Sequence, residues 1–422
     1  MYYTGTFFSL DILAGMQSLL ILGRQPALGL AELESWCAAD KIMPIGNNAV
    51  TVDIDPAELP FFRFGGSIKL TKVLTELPHA DFKKAIEYIN KTIPEHLQYI
   101  PEGKIKFGIS VYGLRVQTND INRATLHIKK TIKAAGRSVR VVPNNEPSLN
   151  SAQVLHNQLT SPVGMELVLV HNNGKTILAQ TVAEQDIEAY AARDQKRPKR
   201  DAKVGMLPPK LAQIIINLSG NNFTRQQVTE AGLNTTQENS LASLATLLDP
   251  FCGTGVVLQE ALLMGFNAYG TDLDKRMVEY SQANLEWLTS RQNVSGSYKV
   301  SAGDATTTTW EPFHGIAGET YLGRPFSAQP DPKVLQEVMQ DVSFIHKKFL
   351  QNVARQTEPG FRMCIAVPAW KTSSGFKHLK TLDNLEELGY TRMEFVHAKA
   401  EDLIYHREGQ VVARELVVLV RK

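Results

Sequence analysis

Cysteine is scarce in this sequence of 422 residues, which contains only Cys37, Cys252 and Cys364. The three lie far apart, and no CxxC pair occurs. A disulfide framework and a zinc site of the usual ligand spacing are therefore not expected. Few, widely spaced cysteines fit a reducing compartment. The sequence therefore predicts a cytoplasmic protein without a bound metal.

Long apolar runs and a strong net charge are also missing. The apolar stretch "SLLILG" at residues 18–23 has no basic leader, and it is far shorter than the roughly 20 residues that cross a bilayer. We expect no membrane partner. The formal net charge is only +2, so local clusters of charge must indicate whether a nucleic acid binds. The length alone favours two or three domains.

Composition changes once along the chain, at residues 193–210. This stretch, "RDQKRPKRDAKVGMLPPK", holds seven basic residues, two acidic residues and three prolines. Prolines interrupt regular structure, and so many charges favour contact with water. The pattern predicts an interdomain linker that does not bury itself. Its role is open between a simple connector and a stiff spacer.

The residues before the linker mix predicted strands and helices. Strand patterns are "QSLLILG", "KIKFGISVYG" and "SVRVVP", and helical spacing is found in "LGLAELESWC", "DFKKAIEYINKTI" and "INRATLHIKKTIKAAG". The last helix is expected to end at Gly136, because glycine is favoured just beyond a helix C-terminus. This half is predicted to be α+β, and it has no glycine-rich phosphate loop.

The residues after the linker alternate between strand and helix. Predicted strands are "LATLLD", "NAYGTD", "SYKVSAGDA", "HGIAGET" and "RMCIAVPAW". Predicted helices are "VVLQEALLMG", "KRMVEYSQANLEWL", "VLQEVMQDVSFIHKKFLQNVAR" and "LKTLDNLEELG". A closing hairpin, formed by "AEDLIYH" and "VVARELVVLVR", adds one antiparallel strand. The alternation predicts an α/β, doubly wound, Rossmann-like and mostly parallel sheet.

Acidic residues stand at the ends of three successive predicted strands. Asp249 opens the loop "DPFCGTG", whose two glycines allow a ligand to approach the backbone closely. Asp272 ends the second strand and can accept ribose hydroxyls, whereas Asp304 follows the third and can reach an adenine amino group. Ligands of such sheets bind at the carboxyl ends of the strands. The predicted cofactor-binding residues are Asp249, Phe251, Gly253, Gly255, Asp272 and Asp304.

The loop favours S-adenosylmethionine over a dinucleotide. A dinucleotide loop would have the pattern GxGxxG, whereas only GxG is present here, close to the carboxylate of Asp249. A pyrophosphate is repelled by such a carboxylate, but an ammonium and a sulfonium are attracted. The alternative for the loop is an ordinary tight turn between strand and helix. Cys252 is interpreted as a small buried residue that packs this turn, with a nucleophile as the alternative.

Several segments together resemble the THUMP-domain tRNA guanine-N2-methyltransferases. They are "LLILGRQPALGLAELESW", "KIKFGISVYG", "RDAKVGMLPPKLAQIIINL" and "LDPFCGTGVVLQEALLMG". The resemblance implies a class I methyltransferase fold, tRNA as partner and a guanosine near the D-stem, at position ten, as target. It also implies a ferredoxin-like region at 1–62, a THUMP RNA-binding domain at 63–190, a basic linker at 191–210 and a catalytic domain at 211–422.

The sequence departs from this family at the end of the fourth strand. The family has an acidic residue or Asn, two prolines and an aromatic there, whereas this chain has "ETYLG" at 319–323. A carboxylate can hold the hydrogens of an exocyclic amine, and an aromatic ring can stack on an extruded base. The predicted catalytic residues are therefore Glu319 and Tyr321. The altered motif leaves open another target atom or reduced activity, and Glu319 could instead be a capping or salt-bridged residue.

Basic residues cluster on the helix "INRATLHIKKTIKAAG" and directly after it. No acidic residue lies between Asp120 and Glu146. Phosphate contacts favour such clustering, because each one releases condensed counterions. The alternative is a solvated helix face. The predicted RNA-binding residues are Lys129, Lys130, Lys133, Arg137 and Arg140.

Three functions therefore remain open from the sequence. The first is S-adenosylmethionine-dependent methylation of a tRNA guanosine at N2. The second is methylation of an amine in another nucleic acid, such as adenine in ribosomal RNA or DNA. The third is a non-catalytic RNA-binding protein with a degenerate catalytic motif.

Overall fold

The computed structural model describes residues 17–201, 207–220, 245–326 and 328–422. Backbone contacts divide the chain into two compact units. The N-terminal unit is built from residues 17–26, 40–62 and 67–189, and the C-terminal unit from residues 27–39, 63–66 and the described residues from 190 onward. The four domain ranges stated above remain a prediction.

The N-terminal unit contains an eight-stranded sheet. Its strands are β1 (Ser18–Leu22), β2 (Ile42–Ile45), β3 (Ala49–Val52), β4 (Ser67–Leu77), β5 (Ile105–Tyr112), β6 (Val139–Val141), β7 (Gly164–Asn172) and β8 (Lys175–Glu184). The order across the sheet is β2-β3-β1-β4-β8-β7-β5-β6. β5 is parallel to β6 and β7, and the other pairs are antiparallel. The three strands predicted in this half are confirmed.

Two amphipathic helices cover part of this sheet. The first five helices of the chain are α1 (Pro26–Trp36), α2 (Phe82–His96), α3 (Thr118–Ala134), α4 (Ser151–His156) and α5 (Ile187–Gln195). α2 buries Ile89 and α3 buries Ile128 in one core with Phe107 of β5. Gly136 follows α3 with φ of 82°, a conformation that glycine adopts without strain. The predicted end of this helix is therefore confirmed.

The C-terminal unit contains a nine-stranded sheet. Its strands are β9 (Thr246–Asp249), β10 (Asn267–Asp272), β11 (Tyr298–Ala302), β12 (Gly315–Glu319), β13 (Arg362–Thr372), β14 (Gly375–Lys377), β15 (Tyr390–Arg392), β16 (Ile404–Tyr405) and β17 (Val412–Arg421). The main order is β11-β10-β9-β12-β13-β17-β15, with β14 paired to β13 and β16 to β17. Strands β9 to β13 are parallel, and β17 runs antiparallel to β13 and β15. This is the sheet order of the class I methyltransferase fold, and it confirms the predicted fold class.

Helices pack on both faces of this sheet. They are α6 (Pro209–Leu218), α7 (Val256–Leu263), α8 (Lys275–Thr289) and α9 (Pro332–Ala354). Successive side chains of a strand point to opposite faces. Accordingly, Leu247 of β9 joins the core with α6, α7 and α8, whereas Leu248 joins the core with α9. The chain leaves β9 toward β10 on one side and later returns through β12 on the other, so a crevice opens where β9 and β12 end.

One predicted helix is wrong. The segment "LKTLDNLEELG" forms only a short 3₁₀ turn at Lys380–Asn384. Leu379, Thr381 and Leu385 are its buried residues. Asp383 and Asn384 have low helix propensity and favour the tighter turn.

In the first half of the predicted linker, residues 193–201, most side chains are exposed or half-buried, and Arg197 is the exception. α5 extends into it, and Arg197 is only 3% exposed. The Lys199 N–H donates to Asn284 Oδ1 at 2.9 Å, and Asn284 Nδ2 donates to the Lys199 carbonyl at 2.9 Å. The Asn284 side chain of α8 thus satisfies both backbone groups of Lys199. Residues 202–206 lie outside the described part of the chain.

Candidate active site

The loop between β9 and α7 depends on its two glycines. Gly253 has φ of 51° and Gly255 has φ of 81°, in the left-handed region that favours glycine. A Cβ atom on Gly255 would lie 2.8 Å from Ser281 Oγ. Glycine is therefore required at 255 both by the backbone and by the close approach of α8.

Helix α8 and strand β10 hold the loop in place. The Cys252 N–H donates to the Thr271 carbonyl at 3.0 Å. Ser281 Oγ donates to the Gly253 carbonyl at 2.9 Å, and Asn284 Nδ2 donates to the Thr254 carbonyl at 2.8 Å. Three successive loop residues are thus fixed by hydrogen bonds.

Cys252 is a buried packing residue, as predicted. Its side chain is among the buried thiols and lies 3.7 Å from Ser281 Oγ. Burial raises the pKa of this thiol well above its ordinary value, and the nearby carboxylates of Asp249 and Asp272 raise it further. A thiol held protonated in this way is a poor nucleophile.

Asp249 lies at the bottom of the crevice and is only 2% exposed. Its Oδ1 accepts the Phe251 N–H at 3.1 Å. β12 approaches it so closely that a Cβ on Gly318 would lie 2.4 Å from Oδ1. Burial raises the pKa of Asp249 well above its ordinary value, and the charges of Asp272 and Glu319 raise it further.

Asp272 ends β10 beside the loop. Its Oδ2 accepts the Gly253 N–H at 2.9 Å, and its Oδ1 accepts the Asp274 N–H at 2.9 Å. Partial burial raises its pKa. Each carboxylate oxygen can accept a second hydrogen bond. Asp272 can therefore hold the loop and still accept hydroxyls from a ligand.

Asp304 and Phe251 have local structural contacts of their own. Asp304 Oδ1 accepts the backbone N–H of Thr306 at 2.8 Å and its hydroxyl at 2.7 Å. The Phe251 ring meets Phe349 of α9 edge to face, with centroids 5.1 Å apart. The ligand roles of both residues remain predictions.

Glu319 ends β12 and forms an ion pair with Arg414 of β17. The exposed fractions of the two side chains are 15% and 8%. Tyr321, two residues later, is 44% exposed. The ring is thus accessible to a ligand, whereas the carboxylate is partly enclosed.

Thr320, between these two residues, is anchored to the core. Its Oγ1 lies 2.6 Å from His346 Nε2, and its N–H donates to the Ala366 carbonyl at 3.0 Å. His346 Nδ1 lies 2.7 Å from the Val342 carbonyl, which can only accept, so Nδ1 carries the proton of a neutral ring. The Thr320 hydroxyl also lies 2.9 Å from the Ala366 carbonyl, so its single proton is shared between that carbonyl and His346 Nε2. Burial lowers the pKa of His346 to about 4, consistent with this neutral ring.

The sheet brings Asp249, Asp272 and Glu319 together. Their strands β9, β10 and β12 are immediate neighbours, and both other charges act on Asp249. Among the described residues, neither Asp249 nor Asp272 forms an ion pair, whereas Glu319 does. We call these three carboxylates, Asp249, Asp272 and Glu319, the acidic edge. Such an edge repels phosphates and attracts cationic or hydroxyl-rich ligands.

Arg414 is the site residue that the sequence reasoning missed. It stands in the predicted closing hairpin, and β17 runs antiparallel to β13, with Arg414 opposite Pro368 near the end of that strand. The hairpin pattern predicts that β17 joins the sheet. It did not give the register that brings this arginine to Glu319.

The predicted RNA-binding residues differ in their surroundings. Lys130, Lys133 and Arg140 are exposed, and Lys129 is half-buried. The Arg137 guanidinium donates to the backbone carbonyls of Leu97, Ile100 and Pro101 at 2.8, 3.0 and 2.5 Å. Arg137 thus stabilises the turn after α2, and contact of the cluster with RNA remains a prediction.

The helices of the described ranges lack the features of a membrane span. None combines the length and the apolar character needed to cross a bilayer.

Similar proteins share the methyltransferase part of the chain. Residues 239–387 match the family model UPF0020, the RMKL-like methyltransferase domain. A tRNA (guanine(10)-N2)-dimethyltransferase of Methanothermobacter thermautotrophicus is 38% identical over 115 residues, which are 27% of this chain and 28% of that protein. A protein of the same name from Pyrococcus abyssi is 25% identical over 332 residues, 72% of this chain and 88% of the relative. The crystal structure of TrmN from Thermus thermophilus aligns with 96% of this chain and 100% of its own at 15% identity and a TM-score of 0.48.

The family match falls on the part of the chain that carries the acidic edge. It includes the loop from Asp249 to Gly255, Asp272 and Glu319. Residues 239–387 are therefore similar to the UPF0020 methyltransferase domain.

Proposed function

We propose that this chain is an S-adenosylmethionine-dependent tRNA methyltransferase that acts on the N2 amine of a guanosine near the D-stem, at position ten. The observation that carries the proposal is the meeting of Asp249, Asp272 and Glu319 at one edge of the UPF0020 sheet. Both archaeal relatives are named for guanine ten of tRNA, which makes it the first target to test. We place the reaction in the cytoplasm.

The acidic edge fits S-adenosylmethionine. Asp249 is buried and acts together with two further carboxylates, an environment that favours a ligand carrying an ammonium and a sulfonium. Asp272 keeps a free acceptor position on each oxygen for ribose hydroxyls. Gly253, Gly255, Asp304 and Phe251 complete the proposed cofactor-binding set.

Glu319 and Tyr321 are the proposed catalytic residues. When bound, the cofactor would supply an electrophilic methyl group to the amine nitrogen, which would lose one proton to Glu319 or to water. Glu319 can accept hydrogen bonds from the amine and so orient the nitrogen lone pair toward the methyl group. The exposed ring of Tyr321 can stack on the guanine once the base leaves its helix.

The basic cluster on α3 is the proposed tRNA contact. The exposed side chains of Lys130, Lys133 and Arg140, with Lys129, can neutralise backbone phosphates. These contacts carry no sequence information, so they would position tRNA while the pocket reads one base.

The test is nucleoside mass spectrometry of a tRNA transcript treated with the full chain and S-adenosylmethionine. We expect N2-methylguanosine or N2,N2-dimethylguanosine at position ten, and no product from a transcript in which guanosine ten is replaced by adenosine. A methylated product from the transcript with adenosine at position ten would show that another nucleotide is the target. Methyladenine in ribosomal RNA or DNA would favour the second amine class. Tight RNA binding without any transfer would favour a binding protein.

A further inference from the structure

Arg414 reaches the acidic edge because β17 runs against the rest of the sheet. The parallel strands end at this edge, whereas an antiparallel strand begins there. β17 begins at Val412, and Arg414 stands opposite Pro368 of the neighbouring β13. β13 in turn pairs with β12, where Ala366 lies opposite Glu319. One strand therefore separates the arginine from the glutamate, a distance that its long side chain spans.

The ion pair occupies one side of the Glu319 carboxylate. Arg414 donates through Nε to Oε1. Within the described ranges, no hydrogen bond of a protein group to Oε2 is found. Arg414 thus fixes the carboxylate and leaves a second oxygen for another donor, such as an amine hydrogen.

The Arg414–Glu319 ion pair lies beside two further carboxylates of the acidic edge. Glu319 lies close enough to act on Asp249, which is buried and also acted on by Asp272. Three carboxylates this close repel one another. In the described part of the chain, Arg414 is the cation that forms an ion pair with one of them. It pairs with Glu319 at the place where an acceptor is needed.

Stability alone gives a weak reason for such a pair. Partly buried ion pairs add little net stability, because desolvation of both charges opposes their attraction. The same sheet holds a second ion pair, between Arg392 and Glu415 at 2.8 Å. Among the described residues, Arg392 forms no ion pair with Glu319. This second pair provides a comparison for a purely structural role.

We infer that Arg414 is a positioning residue for methyl transfer: it holds the Glu319 carboxylate in a fixed orientation, with Oε2 available to the substrate amine. The inference rests on the proposed function and adds a residue to it.

The experiment is a double-mutant cycle on the full chain. Arg414→Gln, Glu319→Gln and the double variant are compared with wild type for kcat, KM for tRNA and affinity for S-adenosylmethionine. We expect Arg414→Gln to lower kcat roughly 10- to 100-fold, with KM and cofactor affinity within about threefold, because a misplaced acceptor acts on the chemical step. In the Glu319→Gln background, removal of Arg414 should change kcat by less than about threefold, because its partner is already neutral.

Two further variants separate positioning from folding. Arg414→Lys keeps the charge and should retain more activity than Arg414→Gln. Arg392→Gln removes the matched ion pair and should lower the melting temperature without lowering kcat per folded molecule. If Arg414→Gln does not fold, the neutral double variant and Arg414→Lys still supply the comparison.

Equal losses of kcat from Arg414→Gln in both backgrounds would overturn the inference, since the arginine would then act independently of Glu319. Full activity of Arg414→Gln would overturn it as well. Both results leave methylation by the wild type intact. Absence of methyl transfer by the wild type would instead overturn the proposed function.

Discussion

Asp272 is the residue with the clearest separable role in cofactor binding. We expect Asp272→Ala to weaken binding of S-adenosylmethionine by about 2–4 kcal/mol, because two charge-assisted hydrogen bonds to ribose would be lost. Isothermal titration calorimetry measures this loss. Asp274→Ala is the control, because Asp274 caps α8 and lies beside Asp272. Unchanged affinity in Asp272→Ala would exclude it as the ribose acceptor.

The buried imidazole of His346 leads to a prediction about how the free energy of unfolding depends on pH. Its pKa is lowered from 6.5 to about 4 by burial, so the folded chain favours the neutral ring and the unfolded chain binds the proton more readily. The stabilising effect is therefore present above pH 6.5 and is lost as the pH falls toward 4. The full loss is about 3 kcal/mol, from the size of the shift.

This contribution can be isolated by comparing wild type with His346→Gln. Urea unfolding at pH 7, 6, 5 and 4.5 gives the free energy of unfolding of each. Wild type should lose more stability than the variant between pH 6.5 and 4.5. Parallel curves for the two proteins would show that His346 does not titrate as the structure indicates.

At the scale of elements, most of the C-terminal sheet could be predicted. The five parallel strands, the glycine loop and the acidic strand ends follow from local patterns of apolar residues and turns. The segment at 379–389 could not, because its leucines recur every three residues as in a helix, although only a short 3₁₀ turn forms. The burial of Arg197 could not be predicted either, because it lies in a highly charged stretch whose neighbouring residues are exposed.

Some residues of the candidate site could be predicted from the sequence, and others could not. Asp249, Asp272 and Glu319 could be located because each ends a strand. Arg414 could not, because its contact with Glu319 depends on the register of β17 against β13. The Thr320–His346 pair joins residues 26 positions apart, and nothing in the local pattern of either segment indicates it.

Helix α3 carries the prediction about tRNA. We expect replacement of Lys129, Lys130 and Lys133 by Gln to weaken tRNA binding and to lower the slope of log affinity against log salt by up to about 2–3, if each lysine meets a phosphate. Filter binding across a salt series measures both. Affinity for S-adenosylmethionine should not change.

The control removes the same charge from α2 in the same unit. Lys83, Lys84 and Lys91 are exposed there, and their replacement by Gln should alter the slope less. Equal effects of the two triple variants would mean that only overall charge matters. An unaltered slope in the α3 variant would exclude this helix as the RNA contact.

At the scale of the whole molecule, the C-terminal unit includes residues from early in the chain. Residues 27–39 and 63–66 belong to it. Glu32 is buried and accepts hydrogen bonds from Gly65 N at 2.9 Å, Gly66 N at 2.8 Å and Asn217 Nδ2 at 2.7 Å. A contact over 185 positions cannot be derived from local patterns.

This organisation determines how the chain should be tested. A fragment that begins at the linker lacks α1 and Glu32, and it leaves the amide of Asn217 without its carboxylate partner. Buried polar groups without partners destabilise a fold. Variants of the full chain are therefore more informative than an isolated C-terminal fragment.

The measurement that tests the central claim most directly is the single-turnover rate of N2-methylguanosine formation at position ten, for wild type and Glu319→Gln. Wild type should form the product. The variant should bind S-adenosylmethionine and tRNA within about threefold of wild type and react roughly 100-fold or more slowly, because it loses the charged acceptor in the transition state. Absence of N2-methylguanosine with wild type, or equal rates for the two proteins, would contradict the account.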